Sequence, residues 1–173
     1  MLFRSQPIAD RVIVLDRLEN RLRLAEEFGA DSTINIEEYH TPESRIQRIK
    51  ELTRDRGADV VMELVGYAPL LPEGIAMLTN GGTFVEIGLY FSGQTVPFDP
   101  STLVLTGKRI VGSVMYRPTL MSTILDFLVR NRYKLPFHTL VSHKFKLEDV
   151  NEAFTQSEWN QRQTPVTRAV LVP

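Results

Sequence analysis

The chain has 173 residues, 43% of them apolar, and its 20 basic and 21 acidic side chains leave a formal net charge of -1. That is core enough for one domain, or one domain with an appended segment, and it supplies no global field to hold nucleic acid or an anionic membrane. The absence of cysteine excludes disulfides, thiolate zinc sites, iron–sulfur clusters and cysteine nucleophiles. No apolar run reaches the roughly eighteen residues of a membrane span, and the first ten residues lack a signal peptide's apolar core, so the expected setting is cytoplasmic.

Residues 1–10 read as a non-native or disordered leader. VIVLDR, residues 12–17, opens the patterned part, with a strand over Arg11–Leu15 that runs into a carboxylate. Glu19–Phe28 then sets Leu22, Leu24, Ala25 and Phe28 on roughly one helical face, with Gly29 where a C-cap glycine belongs. A weaker strand follows at Ser32–Ile36. Thr41 as N-cap and Pro42 in the first turn open a helix over Glu43–Arg54 that turns Ile46, Ile49 and Leu52 inward, with Gly57 closing it. Asp59–Val65 is a strand, Leu70–Leu78 a helix, and Asn80-Gly81-Gly82 a turn before the strand Thr83–Leu89. Arg109–Met115 is a further strand. Pro118–Arg132 is a long helix with Leu120, Ile124, Phe127 and Leu128 at helical spacing. After Leu135 come a possible strand in LVSHKF, a short amphipathic helix in LEDVNEAFTQSE capped near Glu148, and a closing strand in VTRAVLVP. Strand and helix alternate, so the fold class is α/β: a Rossmann-like doubly wound parallel sheet, because parallel strands need helical crossovers to return.

In such a sheet ligands lie beyond the carboxyl ends of the strands. Asp16 ends the first strand, where an acid accepts hydrogen bonds from ribose hydroxyls and repels a 2'-phosphate, or else caps the next helix. Arg17 beside it is a solvated side chain or lies along an adenine. Val65-Gly66, Gly88-Leu89 and Gly112-Ser113-Val114-Met115 end the later strands. Each glycine alone is a turn residue. Three at successive strand ends point to close backbone approach by a ligand. Glu63 inside an apolar strand needs a partner if buried. His40, His138 and His143 show no metal-ligand spacing, and no Ser/His/Asp set assembles.

The segments VIVLD, RLRLAEEFGAD, TINI, LTRDRGADVVMELVG, NGGTFVEIGLY, KRIVGSVMY, HKFKLEDVNEAF and RAVLVP occur in an order that resembles zinc-type medium-chain alcohol dehydrogenases, from their second Rossmann strand to their C-terminus. GADVVMELVG together with LEDVNEAF carries most of the resemblance. It implies a partial dinucleotide-binding domain over 11–134 and a C-terminal segment of the catalytic domain over 135–173. It also implies NAD as cofactor, with Asp16 as the ribose-binding acid, Val65 on the adenosine side, Leu89, after Gly88, with its backbone against the nicotinamide, Ser113 and Met115 holding the carboxamide through main-chain groups, and Arg168 near the pyrophosphate; Arg17, Gly66 and Gly88 join this cofactor-binding set by their place at the strand ends.

The family's first strand, its Gly-x-Gly-x-x-Gly turn and its pyrophosphate-binding helix should precede VIVLD, but only ten residues without a glycine stand there. The expectation is therefore a fragment of an NAD-dependent alcohol or polyol dehydrogenase. Its parent would use zinc, acting as a Lewis acid, and a small-molecule alcohol. The chain alone would bind NAD weakly or not at all, hold no zinc, and show no activity. A homo-oligomer through the sheet edge at Arg109–Met115 is also implied. Two alternatives stand: a non-catalytic Rossmann module used for oligomerisation, and a methyltransferase-like nucleotide fold, whose glycine turn would also be missing and which the tail does not fit.

Overall fold

A computed structural model of the chain describes residues 9–88, 92–157 and 166–173. In chain order its elements are β1 (Ile13–Asp16), α1 (Glu19–Glu27), β2 (Ser32–Asn35), α2 (Pro42–Leu52), β3 (Ala58–Glu63), α3 (Leu70–Met77) and β4 (Leu78–Glu86). Then follow α4 (Ser101–Thr106), β5 (Arg109–Gly112), α5 (Leu120–Asn131), β6 (His143–Lys146), α6 (Val150–Ser157) and β7 (Ala169–Val172). Among the described residues every strand pair is parallel, in the orders β1-β2, β3-β4-β5 and β6-β7. The α/β class with parallel sheets read from the sequence is the class observed. The chain divides into two compact units, Met1–Glu38 with Pro118–Pro173, and Tyr39–Arg117.

In the first unit, β1 and β2 run in register from Ile13↔Ser32 to Asp16↔Asn35. The Asp31 carboxylate receives the Val12 amide at 2.8 Å and fixes where that pairing starts. α1 buries Leu22, Leu24 and Ala25, and the adjoining Phe28 and Ile34 are each 1% exposed. Gly29 at φ 93 ends the helix as expected, with the Ala30 amide donating back to the Ala25 carbonyl at 2.9 Å. The Phe137 ring lies 5.9 Å from Phe28 and 6.1 Å from Phe127, so the C-terminal segment packs onto the same core as α1 and α5. β6 and β7 pair from His143↔Ala169 to Lys146↔Val172.

In the second unit, Ile75, Leu78 and Phe84 form the core, with Val61, Leu71, Phe98 and Leu103 packed around them. Thr41 caps α2 reciprocally: its hydroxyl accepts the Ser44 amide at 3.1 Å, and the Ser44 hydroxyl accepts the Thr41 amide at 3.3 Å. α2 and α3 are joined by a bidentate ion pair, Arg45 Nε to Glu73 Oε1 at 2.6 Å and Nη2 to Oε2 at 2.8 Å.

Several boundaries differ from the sequence reading. α2 stops at Leu52, because the Thr53 hydroxyl donates to the Ile49 carbonyl at 2.7 Å and Arg54 and Asp55 then adopt φ of 54° and 59°. Gly57 serves close approach: a Cβ there would stand 2.8 Å from the Met77 carbonyl oxygen and the Thr79 amide. β4 starts at Leu78, and Asn80-Gly81-Gly82 lies inside it as an irregularity, between the pairs Ala58↔Leu78 and Val60↔Thr83, with Gly81 at φ 75. The chain does turn there, without interrupting the strand. β3 and β5 end at Glu63 and Gly112, earlier than the apolar runs suggest: the ladders stop there, and beyond β5 one more bond reaches β4, from the Ser113 amide to the Glu86 carbonyl. α4 is a helix that the sequence pattern does not announce. No helix among the described residues is long and apolar enough to cross a membrane.

Candidate cofactor site

Asp16 is the last residue of β1, and its side chain is 26% exposed. Oδ1 accepts the Leu18 amide at 2.9 Å, one residue ahead of α1, while Oδ2 has the Arg21 guanidinium at 3.8 Å. Both sequence readings of Asp16 are thus compatible: one oxygen steadies the helix entry and the other faces a cation and solvent. Arg21, in the first turn of α1, was missed by the sequence reading. Burial lowers its pKa from the ordinary guanidinium value, Asp16 works in the opposite sense, and Arg17 adds to the lowering. A base one helical turn beyond a strand-end acid is the signal that would have found it. Arg17 is partly buried.

In the second unit the carboxyl ends of β3, β4 and β5 carry the remaining candidates. Val65 is 72% exposed, and Gly66 follows at φ 83. Glu63 is only 4% exposed; its Oε1 accepts the Val65 amide at 2.8 Å and the Gly66 amide at 2.7 Å. Gly88 packs so closely on that turn that a Cβ would meet the Gly66 nitrogen at 2.4 Å. Leu89 lies outside the described residues. Beyond β5, the Ser113 amide donates to the Glu86 carbonyl at 2.9 Å, and nothing lies within 4 Å of a Cβ built on Gly112. Met115 adopts φ 52 with its side chain 89% exposed, a left-handed backbone that no packing of its own side chain accounts for.

In the first unit Arg168 is exposed, and its main chain is anchored by Ser142, whose hydroxyl accepts the Thr167 and Arg168 amides at 2.9 and 3.2 Å. No sequence signal singled out Ser142. The described residues contain no group of three or more His, Asp or Glu side chains placed to hold a metal ion. A cavity of about 450 Å³ in the second unit touches Gly57, Leu78 and Lys108, at the amino ends of the strands, so it is not part of the strand-end set. There Lys108 Nζ donates to the Ile75 carbonyl at 2.9 Å; burial lowers its pKa below 10.5, and Lys50 adds to this.

The family model for zinc-binding dehydrogenases matches residues 8–130. The chain belongs to that family. It is 29% identical over 145 residues to 5-exo-hydroxycamphor dehydrogenase of Pseudomonas putida, covering 84% of this chain and 40% of the relative. Over 86 residues, half of this chain and 23% of the relative, it is 43% identical to an erythritol/L-threitol dehydrogenase of Mycolicibacterium smegmatis. An alcohol dehydrogenase crystal structure from Thermotoga maritima superposes with a TM-score of 0.83 at 31% identity, covering 95% of this chain and 44% of that one. The chain therefore spans less than half the length of these relatives. Parallel pairing in each described sheet is the pairing of dinucleotide folds of this class.

Proposed function

We propose that these 173 residues are the cofactor-binding part of an NAD-dependent zinc-type alcohol or polyol dehydrogenase, and that hydride transfer to or from a small-molecule alcohol belongs to a protein containing them. The observation that carries the reading is Asp16 Oδ2, held at the end of β1 by a carboxylate whose other oxygen is already committed to Leu18. That oxygen fits a ribose hydroxyl as donor and disfavours a 2'-phosphate. When bound, the nicotinamide supplies hydride donation or acceptance. The chain's own part is to bind and orient it: Asp16 at the ribose with Arg17 along the adenine, the Val65 and Gly66 main chain on the adenosine side, Gly88 and Leu89 against the nicotinamide ring, the Ser113 and Met115 main chain at the carboxamide, and Arg168 at the pyrophosphate. Residues 11–134 are assigned to the dinucleotide domain and 135–173 to the catalytic one. The donor set here does not fit zinc, since the sequence has no cysteine and the described residues form no ligand cluster.

Titration of the 173-residue chain with NAD and NADP, read from amide shifts at residues 16–18, tests this. Weak NAD binding with shifts at Asp16, and weaker NADP binding, is the expected result, because the glycine-rich turn that the family uses for pyrophosphate is not in these residues. Micromolar NAD affinity contradicts the pyrophosphate argument, and shifts confined to other residues contradict the ribose assignment. A second reading, assembly through β5, is favoured by one observation: all four residues of that strand are exposed, and it pairs only with β4 among the described residues. Light scattering that shows a monomer at all concentrations removes it.

A further inference from the structure

Two charged residues are buried among the described ones, Glu63 and Glu73. Glu73 has Arg45 as counter-ion. Glu63 ends β3 and takes backbone amides in place of a cation. Its Oε1 accepts the Val65 and Gly66 amides at 2.8 and 2.7 Å, and its main-chain carbonyl accepts the Ile87 and Gly88 amides, both at 3.1 Å. Four amides from two strand-end turns therefore converge on one residue. The second oxygen, Oε2, is buried without a hydrogen-bond partner, 2.5 Å from where a Cβ on Gly88 would stand. A carboxylate is expensive to bury, and Val65, at 72% exposed, borders solvent that could satisfy its amide without help. Simple satisfaction of those amides does not explain a buried acid. Holding the turn Leu64–Gly66 firmly enough for Gly88 to pack on it does: the carboxylate bonds that turn with stronger bonds than a neutral acceptor makes, the main-chain carbonyl of Glu63 holds Ile87 and Gly88, and the Gly88 backbone lies against both the turn and Oε2.

We infer that Glu63 is a positioning residue: it clamps the turn Leu64–Gly66 to the segment Ile87–Gly88 and so sets the two stretches of main chain that the cofactor reading places against the adenosine and the nicotinamide. The clamp stands on its own geometry, and its purpose rests on the cofactor reading of those strand ends. Glu63 touches no reacting atom and acts through the backbone it holds.

Amide hydrogen exchange on the 173-residue chain tests it, with Glu63→Gln and Glu63→Met as the variants. Glutamine keeps an acceptor in the Oε1 place, and methionine keeps length and burial but accepts neither amide. In the wild type the amides of Val65, Gly66, Ile87 and Gly88 are expected to open together, with the same denaturant dependence. E63M is expected to speed exchange at all four by about tenfold or more relative to the β1–β2 amides, and E63Q by much less. Separate openings of the two turns in the wild type overturn the clamp, and that arm needs no variant to fold. So does an E63M effect confined to residues 65 and 66, or an E63Q chain as loose as E63M. Added NAD should slow exchange at the four amides. If it does not while the clamp signature holds, the cofactor reading of these strand ends fails and the positioning of the turns remains.

Discussion

Replacing Gly88 by alanine adds one methyl group where the two strand-end turns meet. It would stand 2.4 Å from the Gly66 nitrogen, 2.5 Å from Glu63 Oε2 and 2.8 Å from the Leu64 carbonyl carbon. Two of these are main-chain atoms of a turn already tied down by Glu63, so no flexible side chain can yield. Relief requires the end of β4 to move off the turn, which breaks the hydrogen bond from the Gly88 amide to the Glu63 carbonyl, now 3.1 Å. Overpacking of this kind costs about 1–3 kcal/mol, the lost bond about 1 kcal/mol, and reduced freedom of the unfolded chain offsets about 0.5–1 kcal/mol. The net expectation for G88A is a loss of about 1–3.5 kcal/mol. Gly112→Ala is the control, since nothing lies within 4 Å of its added Cβ and its φ is not left-handed. Urea unfolding followed by circular dichroism, with the Gly66 amide read in parallel, measures both. A G88A chain within about 0.5 kcal/mol of G112A would refute the argument that these turns are packed main chain to main chain.

Other perturbations test the frame around the site. Arg45→Met strips the counter-ion from Glu73, whose side chain is 6% exposed, and should cost about 3–5 kcal/mol, whereas the double variant Arg45→Met with Glu73→Leu should recover most of the loss in the same urea assay. Lys108 has its pKa lowered below 10.5 by burial, with Lys50 adding to it. Between its folded value and 10.5 the unfolded chain binds more protons, so its contribution to stability rises with pH through that window, and Lys108→Met should flatten the rise in a pH series of unfolding curves.

Much of the fold was legible because its signals are local. The spacing of Leu22, Ala25 and Phe28 gives α1, Gly29 at φ 93 stops it, and Thr41-Pro42 opens α2. Asp16 was legible for the same reason, as a carboxylate at the end of an apolar run. Boundaries set by tertiary contact were not. β4 takes in Leu78 and the two glycines because Ala58 pairs with Leu78, and no pattern near Gly81 announces that pairing. α4 lacked an apolar stripe, although Asp99 accepting the Ser101 amide at 2.9 Å marks its start once seen. Glu63 was noticed as an acid in an apolar strand, but its bond to the Gly88 amide joins residues far apart in the chain, and Ser142 serves Thr167 and Arg168 across a similar interval. Which oxygen of Asp16 is committed is likewise a matter of geometry that sequence does not carry.

The account turns on the proposal that Asp16 selects the ribose, and the ratio of NAD to NADP affinity in wild type and Asp16→Ala measures that most directly. Under that proposal a 2'-phosphate would bring like charge close to the carboxylate, so the wild-type ratio should favour NAD and fall by about tenfold or more in D16A. A ratio unchanged by the substitution, or a wild-type chain that prefers NADP, would contradict it.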